Sequence, residues 1–472
     1  MEYSDYDATG LASAIAKREI GVREAVEAAI ARIEKLDLTI NAIVMDDFDG
    51  ALAKAREFDN RRSEVDEVFY GVPFLVKDNN VYIDGFPTTF GAKPLREHRA
   101  AQSEIASSWE AAGLITLGKT NLCEFALTFT TEPTWRGATR NPWSLDRTPG
   151  GSSGGAAAAV AARFVPMAHA NDAGGSIRVP ASCCGLFGFK PTRGMVSLAP
   201  HDTDGWFGLN HEHVISRSVR DSRAMLRVHG NKAFVTASLD ALLPRSSLRI
   251  GIIRTGLMGT EADAGCEAAL LKAARLISAM GHETREISFP AELNELATVV
   301  PLLAAHGIAQ TAKMAGMTAD EGAAEAFEAL SLELLQLAEN TSTDSLEAAK
   351  QALPKARHLV DTLFEEVDFI MTTTLASELI ALGTLTTDGA AYDFQKSFAT
   401  MIGFGPYTMP FNLSGHPAMS VPLHFSAQGL PIGVQFAGKI GSDGRLFSLA
   451  NELEQSAPWA HCQPPDFGSE SP

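Results

Sequence analysis

Cysteine is scarce in this chain of 472 residues, and no C-x-x-C pair occurs. The five cysteines are Cys123, Cys183, Cys184, Cys266 and Cys462. An odd number without regular spacing excludes the disulfide framework that stabilises small secreted domains. We therefore expect the adjacent Cys183 and Cys184 to be small, buried side chains rather than a metal or redox pair.

Positive charge and long hydrophobic runs are also lacking. The 39 Lys and Arg residues against 57 Asp and Glu residues give a formal net charge of −18, which argues against nucleic-acid binding through a broad basic face. No apolar run approaches the ~20 residues that a membrane-spanning helix needs. The acidic segment from Met1 to Asp7 lacks the basic-then-apolar order of a signal peptide. A cytoplasmic protein without a nucleic-acid or membrane partner is therefore expected.

Two motifs that suggest ligand binding occur without the context that their chemistry needs. Gly113 to Thr120 matches the string G-x-x-x-x-G-K-[ST], but the intervening Leu-Ile-Thr-Leu is predicted to be a strand. A phosphate-binding loop needs free N–H groups after the strand has ended, so a nucleotide-binding protein is the weakest alternative. His211-Glu-His213 lacks the i, i+4 spacing of a helical metal site. We predict that it lies in an exposed loop, and we expect neither a metal site nor a cofactor.

The periodicity of the chain is that of an α/β protein. In residues 7–36, which are predicted to form two helices, Val22, Val26, Ile30 and Ile33 make one apolar stripe. Further helices are predicted at 101–112, 152–163, 262–280 and 442–455. Strands are predicted at 72–76, 114–117, 164–168, 248–253, 369–373, 419–423 and 432–436. Strands separated by helices predict a mixed central sheet covered by helices on both faces.

A single large domain is expected, because no linker interrupts the sequence. Residues 291–366 are rich in Ala, Leu and Glu and predict a helical insertion over the sheet, a usual place for elements that select a substrate. The remaining parts are the N-terminal helices at 7–36, a core at about 70–255, and C-terminal strands and a helix at 369–456.

The segment from Pro149 to Pro180 contains two glycine-flanked serines, Ser152 and Ser176, 24 residues apart. Glycines let a backbone fold closely around a reacting oxygen and direct its N–H groups there. Gly150-Gly-Ser152-Ser-Gly154 also fits the G-x-S-x-G nucleophile elbow. That motif needs a buried strand leading into the serine, whereas here the preceding residues are polar and end in Pro149. The elbow is therefore disfavoured.

Lys77 ends the apolar run that begins at Gly71. A lysine that emerges from a buried strand loses hydration, which lowers its pKa and favours a neutral base. The alternative is a surface lysine whose aliphatic stem alone is buried. Serine activated by lysine is an established variant of serine–histidine chemistry.

Together these segments resemble the amidase signature family over most of the chain. The motifs that carry the resemblance are Lys77, Gly118-Lys-Thr-Asn121, Asn141-Pro-Trp143, Pro149 to Gly155, Asp172 to Arg178, Gly188-Phe-Lys-Pro-Thr192, Phe411 to Ala418 and Gly429 to Gln435. The resemblance implies the fold of that family and a Ser–cis-Ser–Lys triad. Ser176 would be the nucleophile, Ser152 would bridge through a cis peptide bond to Gly151, and Lys77 would be the base.

The resemblance also implies further site residues. The backbone N–H groups of Ala173, Gly174 and Gly175 would form an oxyanion hole, together with that of Ser176. Asp172 and Arg178 flank the nucleophile and are expected to brace its loop as an ion pair. Substrate contacts are expected from the loop Asn121 to Thr131, with Phe125, Thr128 and Gly151 as candidates, and from the 291–366 block.

Within the family, the segments at 130–143 and 168–172 are similar to the branch that contains 6-aminohexanoate cyclic-dimer hydrolase. That resemblance implies a small-molecule substrate, a linear or cyclic ω-amino acid amide or an aryl or alkyl amide, and a monomer or homodimer. The chain departs from glutamine-hydrolysing subunits of tRNA-dependent amidotransferases at Val179 and at Thr408 to Gly415, so no partner subunit is implied. The alternatives are an esterase or carbamate hydrolase with the same triad, and a catalytically silent amide-binding homologue.

Overall fold

The computed structural model describes residues 2–197, 199–201, 205–239, 247–314, 316, 327–390 and 392–465. Parts of the predicted core at 70–255 and of the predicted helical block at 291–366 lie outside these ranges. The described residues form one sheet of eleven strands. The strands are β1 (Ile43–Asp46), β2 (Pro73–Lys77), β3 (Ile115–Thr120), β4 (Met167–Asp172), β5 (Phe187–Lys190), β6 (His211–Ser216), β7 (Arg249–Ile252), β8 (Glu283–Glu286), β9 (Phe369–Thr373), β10 (Ala418–Phe425) and β11 (Pro431–Gly438).

The sheet is mixed, with the order β1-β3-β2-β4-β6-β5-β10-β11-β9-β7-β8. Strand β2 runs parallel to both β3 and β4, with Leu75 opposite Ala168. Strands β5, β6, β10 and β11 pair in antiparallel fashion through the middle. Because β2 and β4 are parallel, Lys77 and Asp172, the last residues of these strands, lie at the same end of the strands. The predicted site residues converge at these carboxyl ends.

Helices flank this sheet, so the prediction of an α/β fold with a mixed central sheet is confirmed. They are α1 (Ala8–Ala16), α2 (Val22–Ile40), α3 (Phe48–Asp59), α4 (Glu104–Ala111), α5 (Gly154–Ala161), α6 (Arg178–Cys184), α7 (Gly205–Gly208), α8 (Val219–His229), α9 (Lys232–Ser238), α10 (Ala264–Ala279), α11 (Glu292–Ala297), α12 (Val300–Met314), α13 (Ala329–Glu339), α14 (Thr343–Lys350), α15 (Ala352–Leu363), α16 (Phe394–Phe404), α17 (Met409–Ser414) and α18 (Asp443–Ser456). Short 3-10 helices occur at Tyr3–Asp5, Lys93–Leu95, Glu124–Ala126 and Leu257–Gly259.

Two local predictions of burial are confirmed. The stripe of Val22, Val26, Ile30 and Ile33 is buried along α2. Cys183 and Cys184 are buried at the end of α6. None of the helices among the described residues is both long enough and apolar enough to cross a membrane.

The phosphate-loop match at Gly113 to Thr120 forms strand β3 from Ile115 onward, as the apolar residues predicted. The Lys119 side chain is fully buried. Its Nζ donates to the Val81 carbonyl oxygen at 3.1 Å and to Thr88 Oγ1 at 2.9 Å. The lysine of this string therefore serves a structural role.

The prediction of an exposed loop at His211-Glu-His213 is wrong. These residues begin β6, which lies between β4 and β5 in the sheet, and all three are buried. Most of their polar groups find partners inside the protein: Glu212 accepts from Asn210 Nδ2 at 2.7 Å, and His213 Nδ1 lies 2.9 Å from His229 Nε2. Side chains that satisfy one another allow a polar sequence to form a central strand.

Other sheet boundaries also differ from the predictions. The sequence pattern missed β1, β5, β6 and β8, and it placed β4 three residues too early, at Phe164 instead of Met167. Strand β8, Glu283–Glu286, is polar because it lies at the edge of the sheet. An edge strand needs no continuous apolar run.

Candidate active site

Lys77, the last residue of β2, lies at the centre of the site. Its Nζ is 2.7 Å from Ser152 Oγ, 2.9 Å from Ser153 Oγ and 2.5 Å from Asn171 Oδ1. The side chain is fully buried. The sequence left open whether this lysine reaches the surface, and the structure places it in the interior.

Burial lowers the pKa of Lys77 to about 8, because an ammonium group loses hydration inside the protein. The nearby Cys123, Glu212 and Asp172 act in the opposite direction and favour the charged form. Desolvation outweighs them. A substantial fraction of Lys77 is therefore neutral near pH 8, which is the form that accepts a proton.

The serine loop before α5 brings Ser152 to Lys77. The peptide bond between Gly151 and Ser152 is cis. A Cβ at Gly151 would lie 2.2 Å from the carbonyl oxygen of Thr130, so only glycine fits this close approach of two backbones. Thr131 Oγ1 donates to the Gly150 carbonyl oxygen at 3.0 Å and holds the loop from the same side.

Ser176 lies in the tight turn between β4 and α6. Gly175 adopts a φ of +147°, and a Cβ there would lie 2.5 Å from Thr408 Oγ1. That hydroxyl donates to the Gly174 carbonyl oxygen at 2.6 Å and fixes the turn. Among the described residues, no hydrogen-bond acceptor reaches the backbone N–H groups of Ala173, Gly174, Gly175 or Ser176. Such free donors are what an oxyanion hole requires.

Asp172 and Arg178 form a fully buried ion pair across this turn, with Nε–Oδ2 and Nη2–Oδ1 distances of 2.9 Å. Asn412 Nδ2 also donates to Asp172 Oδ1, at 2.8 Å. Burial alone would raise the pKa of the Asp172 carboxyl. The Arg178 charge and the hydrogen bonds outweigh burial and hold that pKa well below its usual range. The two side chains are thus paired with each other, and their role of bracing the loop stays a prediction.

The structure brings Lys77 and Ser152 together, whereas Ser176 makes no side-chain hydrogen bond within the described part of the chain. Ser176 is 6% exposed, and its side chain lines a cavity. The contact between Ser152 and Ser176 that a proton relay needs is therefore not formed in this structure.

The cavity next to Ser176 is almost entirely apolar. Its walls come from the loop after β3, the turn before α6, helices α12 and α13, and helix α16 with the segment before it. The lining residues include Leu127, Phe129, Trp206, Leu209, Val300, Ala304, Leu330, Leu334, Leu385, Phe398, Met401 and Met409. None of the described lining residues carries a charge. The predicted 291–366 block thus contributes to the cavity through α12 and α13.

The predicted loop Asn121 to Thr131 lines the cavity, but of the three single candidates Phe125, Thr128 and Gly151, Thr128 alone is among the described lining residues. Phe125 instead packs against Phe327, with ring centroids 5.5 Å apart, in a hydrophobic cluster behind the cavity wall that shares Leu330 and Leu334 with it. Gly151 faces the backbone of Thr130 rather than the cavity. Both positions support the loops that form the site.

Ser153 and Asn171 were not assigned a role from the sequence, yet both contact Lys77 Nζ. The position of Asn171 in the chain could have indicated its contact with Lys77. Asn171 stands one residue before the end of a strand that is parallel to the strand of Lys77. Polar residues at the carboxyl ends of neighbouring parallel strands meet in space. The missing information was that these two strands are neighbours.

No group of three or more His, Cys, Asp or Glu residues within the described ranges is arranged to hold a metal ion. The side chains gathered around Lys77 are hydroxyl and amide groups. They suit proton transfer and hydrogen bonding.

A large mixed sheet with two glycine-rich serine loops and a buried lysine at the carboxyl end of an inner strand is what the sequence motifs of the amidase signature family predict. Comparison with known proteins assigns the chain to that family. The family model described as Amidase matches residues 24–447. The chain belongs to this family, the amidase signature family of amide hydrolases.

Individual members of the family are similar to this chain over nearly its whole length. The chain is 35% identical to the 6-aminohexanoate-cyclic-dimer hydrolase of Paenarthrobacter ureafaciens, over 97% of this chain and 96% of that protein. The solved structure of a 6-aminohexanoate cyclic dimer hydrolase complexed with substrate has a TM-score of 0.87 and 32% identity, covering 98% and 99% of the two chains. A bacterial aryl acylamidase has a TM-score of 0.85 and 26% identity, covering 96% and 97%.

Proposed function

We propose that this protein hydrolyses a carboxylic amide through an acyl-enzyme on Ser176, with Ser152 as the proton bridge and Lys77 as the base. The observation that carries the proposal is the fully buried Lys77 amine 2.7 Å from Ser152 Oγ. The proposal also draws support from membership of the amidase family and from the free N–H groups beside Ser176.

In the first half of the reaction, Ser176 Oγ attacks the amide carbonyl carbon. Its proton passes to Ser152 Oγ while the Ser152 proton passes to Lys77 Nζ. The carbonyl π electrons move to oxygen, where the N–H groups of residues 173–175 stabilise the negative charge. As the intermediate collapses, the C–N bond breaks, and the leaving nitrogen takes the proton back through the same relay.

In the second half, the relay takes a proton from water, whose oxygen attacks the carbonyl of the Ser176 ester. The ester C–O bond breaks, the carboxylic acid leaves, and the proton returns to Ser176 Oγ. Lys77 ends neutral, as it began. The cycle consumes one water molecule and needs no further reactant.

The substrate group that occupies the cavity is neutral and apolar. The cavity wall consists mainly of aliphatic and aromatic side chains. Among the described lining residues, the side chains with a hydroxyl group are Thr128, Ser176, Thr386 and Ser397. A charge placed there would lose hydration without gaining a partner. Linear or cyclic amides of ω-amino acids, and aryl or alkyl amides, present such a group, and the relatives named above act on amides of these kinds by their names.

The test is turnover of a panel of neutral acyl 4-nitroanilides and cyclic amides by Ser176→Ala and Lys77→Ala variants. We expect activity to fall by about three orders of magnitude or more in each, because removing a nucleophile or its base leaves only binding and the oxyanion hole. Ser448→Ala is the matched control. Ser448 lies on α18, where its Oγ donates to the Gly444 carbonyl oxygen.

Labelling by a fluorophosphonate probe provides a second readout, with modification expected at Ser176. Full turnover by folded Ser176→Ala protein would overturn the proposed mechanism. A wild-type protein that binds neutral amides but neither turns them over nor reacts with the probe would instead be a silent homologue.

A further inference from the structure

We propose that Asn171, together with Ser153, is a positioning residue that directs the lone pair of neutral Lys77 toward the hydroxyl of Ser152. This inference rests on the proposed function, because it concerns how the proposed base is oriented. The observation behind it is that three polar atoms surround one buried nitrogen, Lys77 Nζ, at 2.5 to 2.9 Å.

In two of these three hydrogen bonds, Lys77 Nζ must be the donor. Asn171 Oδ1 is a carbonyl oxygen and only accepts. The Ser153 hydroxyl donates its hydrogen to the main-chain carbonyl of Asn171, at 3.2 Å, so its oxygen accepts from Lys77. Asn171 thus acts twice, once through its side chain and once through its backbone.

A neutral amine has two N–H donors and one lone pair. With both donors directed to Asn171 Oδ1 and Ser153 Oγ, the lone pair is left for the third neighbour, Ser152. The Ser152 hydroxyl therefore donates to Lys77, which is the direction of proton flow that activates Ser176. After the transfer, the ammonium has three N–H donors for the same three oxygens, so no side chain has to move.

Other ionisable groups act on Lys77 from the surrounding elements. They are Cys123 after β3, Asp172 and His169 on β4, and Glu212 on β6. Asn171 contributes a neutral acceptor among these groups. A neutral acceptor orients the amine without adding a charge that would hold it protonated.

The test is Asn171→Asp, which keeps the size and an acceptor oxygen but places a negative charge next to Lys77. We expect the rise of kcat/KM with pH to move to higher pH by at least about one unit, so that turnover of hexanoyl 4-nitroanilide at pH 7 falls at least about tenfold and recovers in alkali. KM is expected to stay within about twofold. A residue that only stabilised the fold would lower activity at every pH without moving the profile.

Asn231→Asp is the matched control. Its Oδ1 accepts a backbone N–H at the start of α9, so the change adds the same charge at an exposed acceptor position away from the site. The pH profile of this variant should coincide with that of the wild type.

Ser153→Ala keeps the inference testable if the Asn171→Asp protein fails to fold. Ser153 precedes α5 but makes no side-chain cap to it, so its removal does not uncap the helix. We expect kcat to fall about tenfold or more at every pH, with KM unchanged, because the amine can then turn its lone pair away from Ser152.

An unshifted profile in folded Asn171→Asp protein, or unchanged kcat in Ser153→Ala, would overturn the inference. If Ser176→Ala is inactive in the same assay, the proposed mechanism survives that failure. If Ser176→Ala is fully active, the proposed mechanism itself is wrong.

Discussion

A lysine buried among hydroxyl and amide groups behaves differently from a lysine in water, and Lys77 shows why. Its three hydrogen-bond partners are uncharged, so nothing in direct contact stabilises the ammonium form by charge. Burial is the largest influence on its pKa. Lys119 is equally buried, and burial lowers the pKa of its amine to about 8 as well, although the Asp78 carboxyl group 3.7 Å from its Nζ acts in the opposite direction.

The pH dependence of turnover should reflect Lys77. If neutral Lys77 is the base, kcat/KM rises with pH and levels off above about 8, the folded-state pKa of this amine. Below that value each pH unit costs about tenfold, because the neutral fraction falls by that factor. Initial rates between about pH 6 and 10 measure the profile. A profile that is flat from pH 6 upward would contradict this assignment, and Lys77→Arg should be inactive throughout.

From the buried Asp172–Arg178 ion pair we predict an effect on the free energy of unfolding. Arg178→Leu leaves a buried carboxylate without its cation, which should lower the free energy of unfolding by ~3–5 kcal/mol. The exposed pair Arg23–Glu27, with side chains 51% and 49% exposed, is the control, and Glu27→Gln should cost less than ~1 kcal/mol. Urea unfolding midpoints and slopes measure both. Equal losses in the two variants would show that burial of the pair contributes nothing.

At the scale of elements, the turn between β4 and α6 concentrates several backbone requirements. The Gly175 carbonyl accepts the first bond into α6, from Val179 N at 2.7 Å, while its φ of +147° turns the chain. Thr408, just before α17, fixes the turn from outside through the Gly174 carbonyl. One short segment thus ends a strand and starts a helix, while the N–H groups of residues 173–176 meet no acceptor among the described residues.

Gly175→Ala should disrupt this turn without unfolding the protein. The added Cβ meets Thr408 Oγ1 at 2.5 Å in a backbone region that side chains disfavour. Displacing one oxyanion-hole donor costs ~10²–10³-fold in kcat, and we expect a loss in that range with a small change in KM. Gly403→Ala on α16 is the matched control, since its Cβ meets no atom of the described residues within 4 Å. Unchanged kcat for Gly175→Ala would exclude this turn from the oxyanion hole.

At the scale of the whole molecule, the cavity is assembled from parts that lie far apart in the sequence. The loop after β3 supplies Leu127 and Phe129, α13 supplies Leu330 and Leu334, and Met409 begins α17. No single one of these segments forms the cavity. The cavity exists because the helical block lies over the loops at the carboxyl ends of the strands.

An uncharged cavity predicts a preference that a substrate panel can measure. Among acyl 4-nitroanilides of equal chain length, a terminal carboxylate or ammonium should lower kcat/KM by ~30-fold or more relative to a methyl end, because an unpaired charge loses ~2 kcal/mol or more of hydration there. Acetyl 4-nitroanilide, whose acyl chain is a single methyl group, is the reference. Equal rates for charged and neutral chains would show that the acyl chain lies elsewhere.

Elements with a strong apolar pattern were predictable from the sequence, and polar elements were not. Strand β9 was predicted with its observed bounds of Phe369–Thr373, because it reads as a continuous apolar run. His211–Ser216 was missed because its polar side chains are bonded inside the protein to groups outside the strand, such as His229 and Asn210. The catalytic candidates were predictable because glycines mark the two serine loops, whereas Phe125 was expected at the substrate and lies instead in a cluster beside it.

The sequence by itself determined the α/β class, the family, and the candidates Lys77, Ser152 and Ser176, since glycine-rich turns and a lysine after an apolar run are local signals. Only the tertiary structure decided that Lys77 is fully buried, that Ser153 and Asn171 share its amine, and that the cavity carries no charge among its described residues. The physical reason is that burial, strand neighbours and cavity walls are properties of contacts between distant segments. No stretch of sequence specifies them alone.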